Sequence, residues 1–225
     1  MDSDTETIRD ICNSMIGATI QMNCNITLKN GHKNNVPMVN TNIIGDCLED
    51  LLYPFLSNKL PNFKHGEKQK SPDFYNGKFE WELKTFTKQA NFDIGNFTSY
   101  IDQLADHDGV LRKLYQTQYL IFEYEYIAHM KTFIIKDFHI CNVRNLVSYS
   151  GKYPLSMQVK KGTWYNIRPV NSMRAIKSSI ATPALFIANI IECVNMCPNT
   201  TFTDPYKKKI INSIQAQCLV LNINI

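Results

Sequence analysis

With 225 residues and 44% hydrophobic content, the chain is long enough to bury a sizeable core and reads as one domain. Its longest apolar run, "ALFIANII" at 184–191, is far too short to span a membrane, and the polar, acidic start "MDSDTETIRD" is no secretory signal. The net charge of +4 conceals two unlike halves: residues 1–137 carry 14 Lys+Arg against 18 Asp+Glu, and residues 138–225 carry 10 against 2.

Taken in chain order, Ile8, Ile11, Cys12, Met15, Ile16 and Ile20 form a helical stripe that predicts a first helix from 5 to about 22, capped by Asp4 or Thr5. In "NITLKNGHKNNVP" the pair Asn30-Gly31 signals a hairpin. A second helix is predicted over about 42–57. Ile43, Ile44, Cys47, Leu48, Leu51, Leu52 and Phe55 make its broad apolar face, Thr41 or Asn42 its cap, and Pro54 limits or kinks its end. Glu49 lies opposite the apolar centre, flanked by Asp46 and Asp50. Two short strands follow, about 71–76 and 78–86, joined by the turn "YNGK".

A third helix is expected over roughly 96–116, then strands at "QYLIFEYEYI" and "KTFIIKDFHI" and a hairpin in "MQVKKGTWYNI" turning at Lys161-Gly162. Thr182-Pro183 and Asp204-Pro205 open two late helices. Seven cysteines without tight spacing point to reduced thiols and a cytoplasmic setting; Cys193 and Cys197 lack a second ligand pair and read as small buried residues. The order helix, strand, strand, helix, strand predicts an α/β fold, a central mixed sheet flanked by helices.

The stretch "SPDFYNGKFEWELKTF" (71–86) carries the chemistry. Alternation from Lys78 puts Phe79, Trp81 and Leu83 on one face and Lys78, Glu80, Glu82 and Lys84 on the other. Asp73, at the end of the preceding strand, then lies within reach of Glu82 for the two to hold one hard cation. Magnesium suits such a pair, because it takes few carboxylates and keeps room for water and phosphate oxygens. Lys84 stands two residues along, placed to orient or deprotonate an attacking water or to offset charge on a phosphate. A charged, protected edge strand is the bland alternative.

Pro72-Asp73 with Glu82-Leu83-Lys84 resembles the motif of the PD-(D/E)XK nucleases, and in particular their small Type II restriction endonucleases. "NIIGDCLEDLLYPFL" stands where that family places its first core helix. The resemblance covers a catalytic core at about 40–137. It implies a restriction-endonuclease-like α-β-β-β-α-β core in which Asp73 and Glu82 bind Mg2+, Lys84 serves the attacking water, and Glu49 adds a further acid, with Asp46 and Asp50 as competitors. Glu80 is a substitute ligand on the same face.

The remaining region, about 138–225, holds no acid between Phe138 and Ile191 but contains Arg144, Lys152, Lys160, Lys161, Arg168, Arg174 and Lys177. Such a surface suits a polyanion, and a solvated basic face is the alternative. Gln158, Lys160, Lys161, Asn166 and Arg168 on the expected hairpin are candidate DNA contacts; Lys207, Lys208 and Lys209 form a candidate phosphate clamp. Trp164 and Tyr165 read as packed residues. The expected protein is a homodimer that cuts double-stranded DNA at a specific site, beside a cognate DNA methyltransferase in the host. A structure-specific repair or recombination nuclease and a catalytically silent DNA-binding protein are the competing readings.

Overall fold

The first helical stripe folds as α1 (Ser3–Ser14), shorter than its apolar pattern predicts. Gly17, at φ +85°, turns the chain, and its N–H donates to the Ile135 carbonyl at 2.8 Å. Residues 19 and 20 therefore continue as strand β1 (Thr19–Ile20), not as helix. Sheet pairing outweighs the helical spacing there.

In this computed structural model, residues 3–21, 23–27, 29, 31–37, 44–67, 71–169 and 180–225 are described. Asn30, the cap candidates Thr41 and Asn42, Ile43 of the expected apolar face, Arg174 and Lys177 lie outside them. The chain divides into two units. One comprises Met1–Gly77, Glu82–Lys88 and Leu120–Ile140; the other comprises Lys78–Trp81, Gln89–Tyr119 and Cys141–Ile225.

In the first unit, β2 (Asn23–Thr27) and β3 (Lys33–Pro37) form the expected antiparallel ribbon, with Gly31 at φ +81° between them. Helix α2 (Ile44–Ser57) buries Ile44, Leu48, Leu52 and Leu56, a strict every-fourth-residue stripe. Leu51 and Phe55, expected on the buried face, are exposed. Pro54 does not end the helix, which runs on to Ser57 with the proline on its exposed side.

Strands β4 (Lys64–His65), β5 (Phe74–Tyr75) and β6 (Glu80–Phe86) follow; β7 (Gly95–Asn96) belongs to the second unit. β8 (Thr117–Ile127) and β9 (Thr132–Cys141) complete a six-stranded sheet in the order β1-β9-β8-β6-β5-β4. Leu120, Ile121 and Phe122 in β8 are all buried, so both faces of this inner strand are covered. The sheet flanked by helices is the α/β fold expected from the order of elements.

In the second unit the predicted third helix is broken. Helix α3 (Phe97–Ala105), capped by the Asn96 side chain on the Ser99 N–H, stops at "DHDG". A single turn, α4 (Gly109–Leu111), and a wide π-type turn (Arg112–Gln116) follow. Asp108 takes φ +58°, and a Cβ on Gly109 would strike the Gln103 and Leu104 carbonyls. Gln217 stitches the break: its Oε1 accepts from the Val110 N–H at 2.9 Å, and its Nε2 donates to the Leu104 carbonyl at 3.2 Å.

After the short α5 (Val143–Leu146), strands β10 (Met157–Lys160) and β11 (Thr163–Ile167) form the predicted hairpin, with Lys161 and Gly162 both at positive φ. Helices α6 (Pro183–Met196) and α7 (Asp204–Val220) open at Thr182-Pro183 and Asp204-Pro205. Thr203, rather than Asp204, is the cap of α7. Among the described residues no helix is long and apolar enough to cross a membrane.

Candidate active site

Three local arrangements in the first unit bring acids to one place. Along α2, Gly45, Glu49 and Tyr53 form a half-buried stripe beside the fully buried one. The space beside Gly45 is bounded by the Thr85 hydroxyl of β6, 3.8 Å from where a Cβ would stand. This aims Glu49 toward the sheet. Asp46 and Asp50, each one position after a residue of the stripe, are exposed.

Asp73 immediately precedes β5. Its Oδ2 accepts a 2.6 Å hydrogen bond from the Leu83 N–H, which fixes its carboxylate against β6. Glu82 is buried, with one oxygen accepting from the Ser71 hydroxyl and the other 3.2 Å from Lys84 Nζ. The outer face of β6, expected to be exposed, is therefore largely covered at its centre.

A cleft of about 210 Å3 is lined by Asp46, Glu49, Asp50, His65, Gly66 and Asp73, among others. Burial, and then the charge of Glu82, pushes the Asp73 carboxyl up to about 6, against the pull of Lys84 and the Leu83 N–H. Burial and the charges of Asp73 and Asp46 push Glu49 up to about 7. At Lys84 burial works to lower the ammonium, but Glu82, Asp73 and Glu49 together outweigh it and hold the group above the usual lysine range. Lys84 thus feels the charges of Glu82, Asp73 and Glu49, and Asp73 repels the Glu49 carboxylate.

Does this set fit a metal? Two carboxylates held near each other, with a third on α2 kept from full ionisation by its neighbours, form a donor set that a hard divalent cation relieves. Among the described residues no three His, Cys, Asp or Glu side chains stand at the mutual spacing of a metal cage. The fit is to a cation that takes two carboxylates and fills its remaining positions with water or substrate oxygens.

Glu80, the substitute ligand, is committed elsewhere, in the second unit. It accepts from the Thr117 hydroxyl at 3.0 Å and pairs with Arg112 at 3.9 Å. The DNA-contact candidates also lie in the second unit. Lys160 and Lys161 are exposed, with the Lys160 ammonium 4.2 Å from the ring centre of an exposed Tyr165. Asn166 is buried and donates to Gln158 Oε1 at 3.0 Å. Arg168 pairs with Asp93 at 3.1 Å and donates to the Asn91 carbonyl. Asn166 and Arg168 are thus spent on holding the hairpin and its neighbours.

Trp164 packs edge-on against Phe97 and Tyr153, whereas Tyr165, read as packed, faces solvent. Lys207 donates to the Asn195 carbonyl in the last turn of α6, which leaves Lys208 and Lys209 exposed. Cys193 and Cys197 are buried free thiols, and burial pushes Cys193 up to about 12, far from a thiolate ligand.

Two members of the site escaped the sequence reading. Ser71 precedes the Pro-Asp pair as an ordinary polar loop residue, and His65 stands alone in a polar loop whose strand is only two residues long. Neither has periodicity or a motif partner to mark it.

The profile of the NgoBV restriction endonuclease family matches residues 6–222. The chain belongs to this family. The match takes in nearly the whole chain, the basic region as well as the acidic cleft. Within restriction endonucleases, the Type II restriction enzyme NlaIV of Neisseria lactamica is 27% identical over 135 residues, which is 56% of this chain. That alignment spans about half of the relative's length, 54%. The solved structure of the NlaIV restriction endonuclease superposes on 100% of this chain and 92% of its own, with a TM-score of 0.75 at 20% identity, a likeness of fold.

Proposed function

We propose that the protein is a Type II restriction endonuclease, hydrolysing phosphodiester bonds in double-stranded DNA at a specific sequence with Mg2+. The observation that carries this reading is that Lys84 stands among the charges of Glu82, Asp73 and Glu49, beside a cleft lined by Asp73 and Glu49, in a chain of a restriction endonuclease family. Asp73 and Glu82 would hold the magnesium, with Glu49 as a further acid. The bound ion would supply Lewis-acid polarisation of the phosphate and acidify the water that attacks it.

The chain's own contribution is positioning and charge. Asp73 cannot swing freely, because the Leu83 N–H holds one oxygen. Glu82 is held by both Ser71 and Lys84. In the metal-free cleft the acids around Lys84 favour its ammonium, the form that suits a donor role. Lys84 orients the attacking water and stabilises the charge that builds on the phosphate oxygens, rather than taking a proton from the water.

Lys160 and Lys161, at the exposed hairpin tip, are the strongest DNA contacts of the predicted set, with Lys208 and Lys209 as phosphate contacts. Gln158, Asn166 and Arg168 reach bases only by giving up the bonds that hold them here. A palindromic target would call for a homodimer, and self-protection for a DNA methyltransferase in the same cell. Six free thiols among the described residues suit a reducing, cytoplasmic compartment.

Digestion of plasmid DNA in Mg2+, followed by sequencing of the fragment ends, tests this function. The expected result is discrete fragments whose ends share one short sequence. A smear, or cutting only at junctions, flaps or ends, would replace the reading with a structure-specific nuclease. DNA binding without cleavage in any divalent metal would make the chain a silent DNA-binding protein.

A further inference from the structure

His65 lies in the cleft, and no step above uses it. Its ring is wedged edge-on between Tyr53 and Phe74, with centroid separations of 5.5 and 5.3 Å and interplanar angles of 81° and 85°. Nδ1 is 2.9 Å from the Gly66 carbonyl oxygen. A carbonyl only accepts, so Nδ1 carries a hydrogen and the ring is fixed in orientation; with a second hydrogen on Nε2 the ring is an imidazolium, the form that attracts a carboxylate. Nε2 then faces Glu49 Oε2 at 4.0 Å, buried and without a hydrogen-bond partner.

The backbone leads to the same place. His65 pairs with Phe74 across β4 and β5, and the next N–H, of Gly66, donates to the Asp73 carbonyl at 2.7 Å. A Cβ on Gly66 would run into the Pro72 carbonyl, so only glycine allows the two segments to approach this closely. The residue whose ring faces Glu49 on α2 is therefore tied through its backbone to the segment presenting Asp73. Asp73 and Asp46 repel the Glu49 carboxylate, while His65 and Lys84 attract it. Without the imidazolium, that carboxylate would be driven away from Asp73 and toward solvent.

We infer that His65 is a positioning residue of this cleft, setting the Glu49 carboxylate of α2 against Asp73. The inference rests on the endonuclease reading of the cleft and adds to it a residue outside the Asp73, Glu82, Lys84 motif. The pair is the link between the helix that supplies one acid and the strand end that supplies another.

Three substitutions separate its parts. His65→Asn keeps a donor near the Gly66 carbonyl but cannot reach Glu49, His65→Phe keeps the aromatic wedge alone, and His65→Gln restores a polar atom near the position of Nε2. Plasmid cleavage should fall about 10- to 100-fold in the first two, the usual range for a group that orients a ligand, and recover in His65→Gln. Each effect should vanish in a Glu49→Gln background. In metal-free, DNA-free protein, imidazole 15N signals should show hydrogen on Nδ1, and the Nε2 signal should move on Glu49→Gln; these spectra decide the matter even if a His65 variant fails to fold.

Wild-type cleavage by folded His65→Asn or His65→Phe, an equal loss with and without Glu49, or an unmoved Nε2 signal would overturn the inference. Lys84→Ala separates this failure from the larger one. If Lys84→Ala is inactive while His65→Asn is active, only the role of His65 falls. If both cleave normally, the reading of the whole cleft falls with it.

Discussion

Lys84 owes its charge to its neighbours. Burial alone would lower its ammonium, and three carboxylates reverse that. Lys84→Ala should lower the rate of DNA cleavage by about 10²–10⁴-fold, the range for a positioned donor or acid in a transition state. It should also lower the thermal midpoint of the metal-free protein, because the buried Glu82 loses its cation. The acids carry a pH signature of their own. Asp73 and Glu49 titrate at about 6 and about 7 in the fold, against roughly 4 in an unfolded chain, so the fold favours their protonated forms. That contribution is complete below about pH 4 and is lost as pH rises through 6 to 7. Thermal unfolding in EDTA should therefore show a midpoint that drops between about pH 4 and pH 7, with a smaller drop in Asp73→Asn, at about 2–4 °C per kcal/mol for a chain of this size. Mg2+ added at the higher pH should raise the wild-type midpoint more than that of the variant. The spacing of Pro72-Asp73 and Glu82-Leu83-Lys84 made Asp73, Glu82 and Lys84 legible in the sequence, because a strand's alternation is local information. Ser71 and His65 reach the cleft through loop geometry, which no local pattern encodes.

Elements carry the precision that side chains display. The β4–β5 pairing is only two residues long, yet it sets the segment ending in Asp73 through the Gly66 N–H. Gly66→Ala should destabilise the protein by about 1–3 kcal/mol, as overpacking does, and lose cleavage as well, measured by urea unfolding and plasmid digestion. In the second unit, Asn199 completes β11 as a missing strand would: its amide accepts from the Trp164 N–H at 2.7 Å and donates to the Trp164 carbonyl at 2.9 Å. Asn199→Ala leaves both backbone groups buried without partners and should cost about 2–6 kcal/mol in denaturant unfolding, from the roughly 1–3 kcal/mol of each such group. In the sequence Asn199 is merely the first residue of "NTT". The same limit explains the helices. The stripe from Ile8 to Ile20 is helical in spacing, but Gly17 and the pairing of β1 with β9 divert its end. The stretch 96–116 has helical periodicity, and "DHDG" breaks it because Gln217, over a hundred residues away, supplies the bonds that an unbroken helix would have made internally. The Lys161-Gly162 turn was legible because both positive-φ positions sit within the hairpin itself.

Across the whole molecule the charge is divided along the chain, with −4 in residues 1–137 and +8 beyond. A nuclease needs both halves, acids to hold a cation and bases to hold a polyanion. Lys160→Ala and Lys161→Ala should each weaken DNA binding almost uniformly across sequences and reduce the slope of log affinity against log salt by about 1, if each neutralises one phosphate. Asn166→Ala should instead act through stability, since its amide is spent on Gln158. The order of elements and the binary pattern carried the α/β class, and the family match and the fold of a restriction endonuclease agree with it. The base-reading set was harder to read, because sequence lists the side chains able to contact DNA but not those already bonded within the protein. The central claim is that Asp73, Glu82 and Lys84 act together on a phosphodiester. Its most direct measurement is single-turnover cleavage of supercoiled plasmid in Mg2+ by wild type, Glu82→Gln and Lys84→Ala, each first shown to be folded by circular dichroism. The account predicts discrete products from wild type and a loss of at least about 100-fold in both variants; a wild-type rate in either folded variant would contradict it.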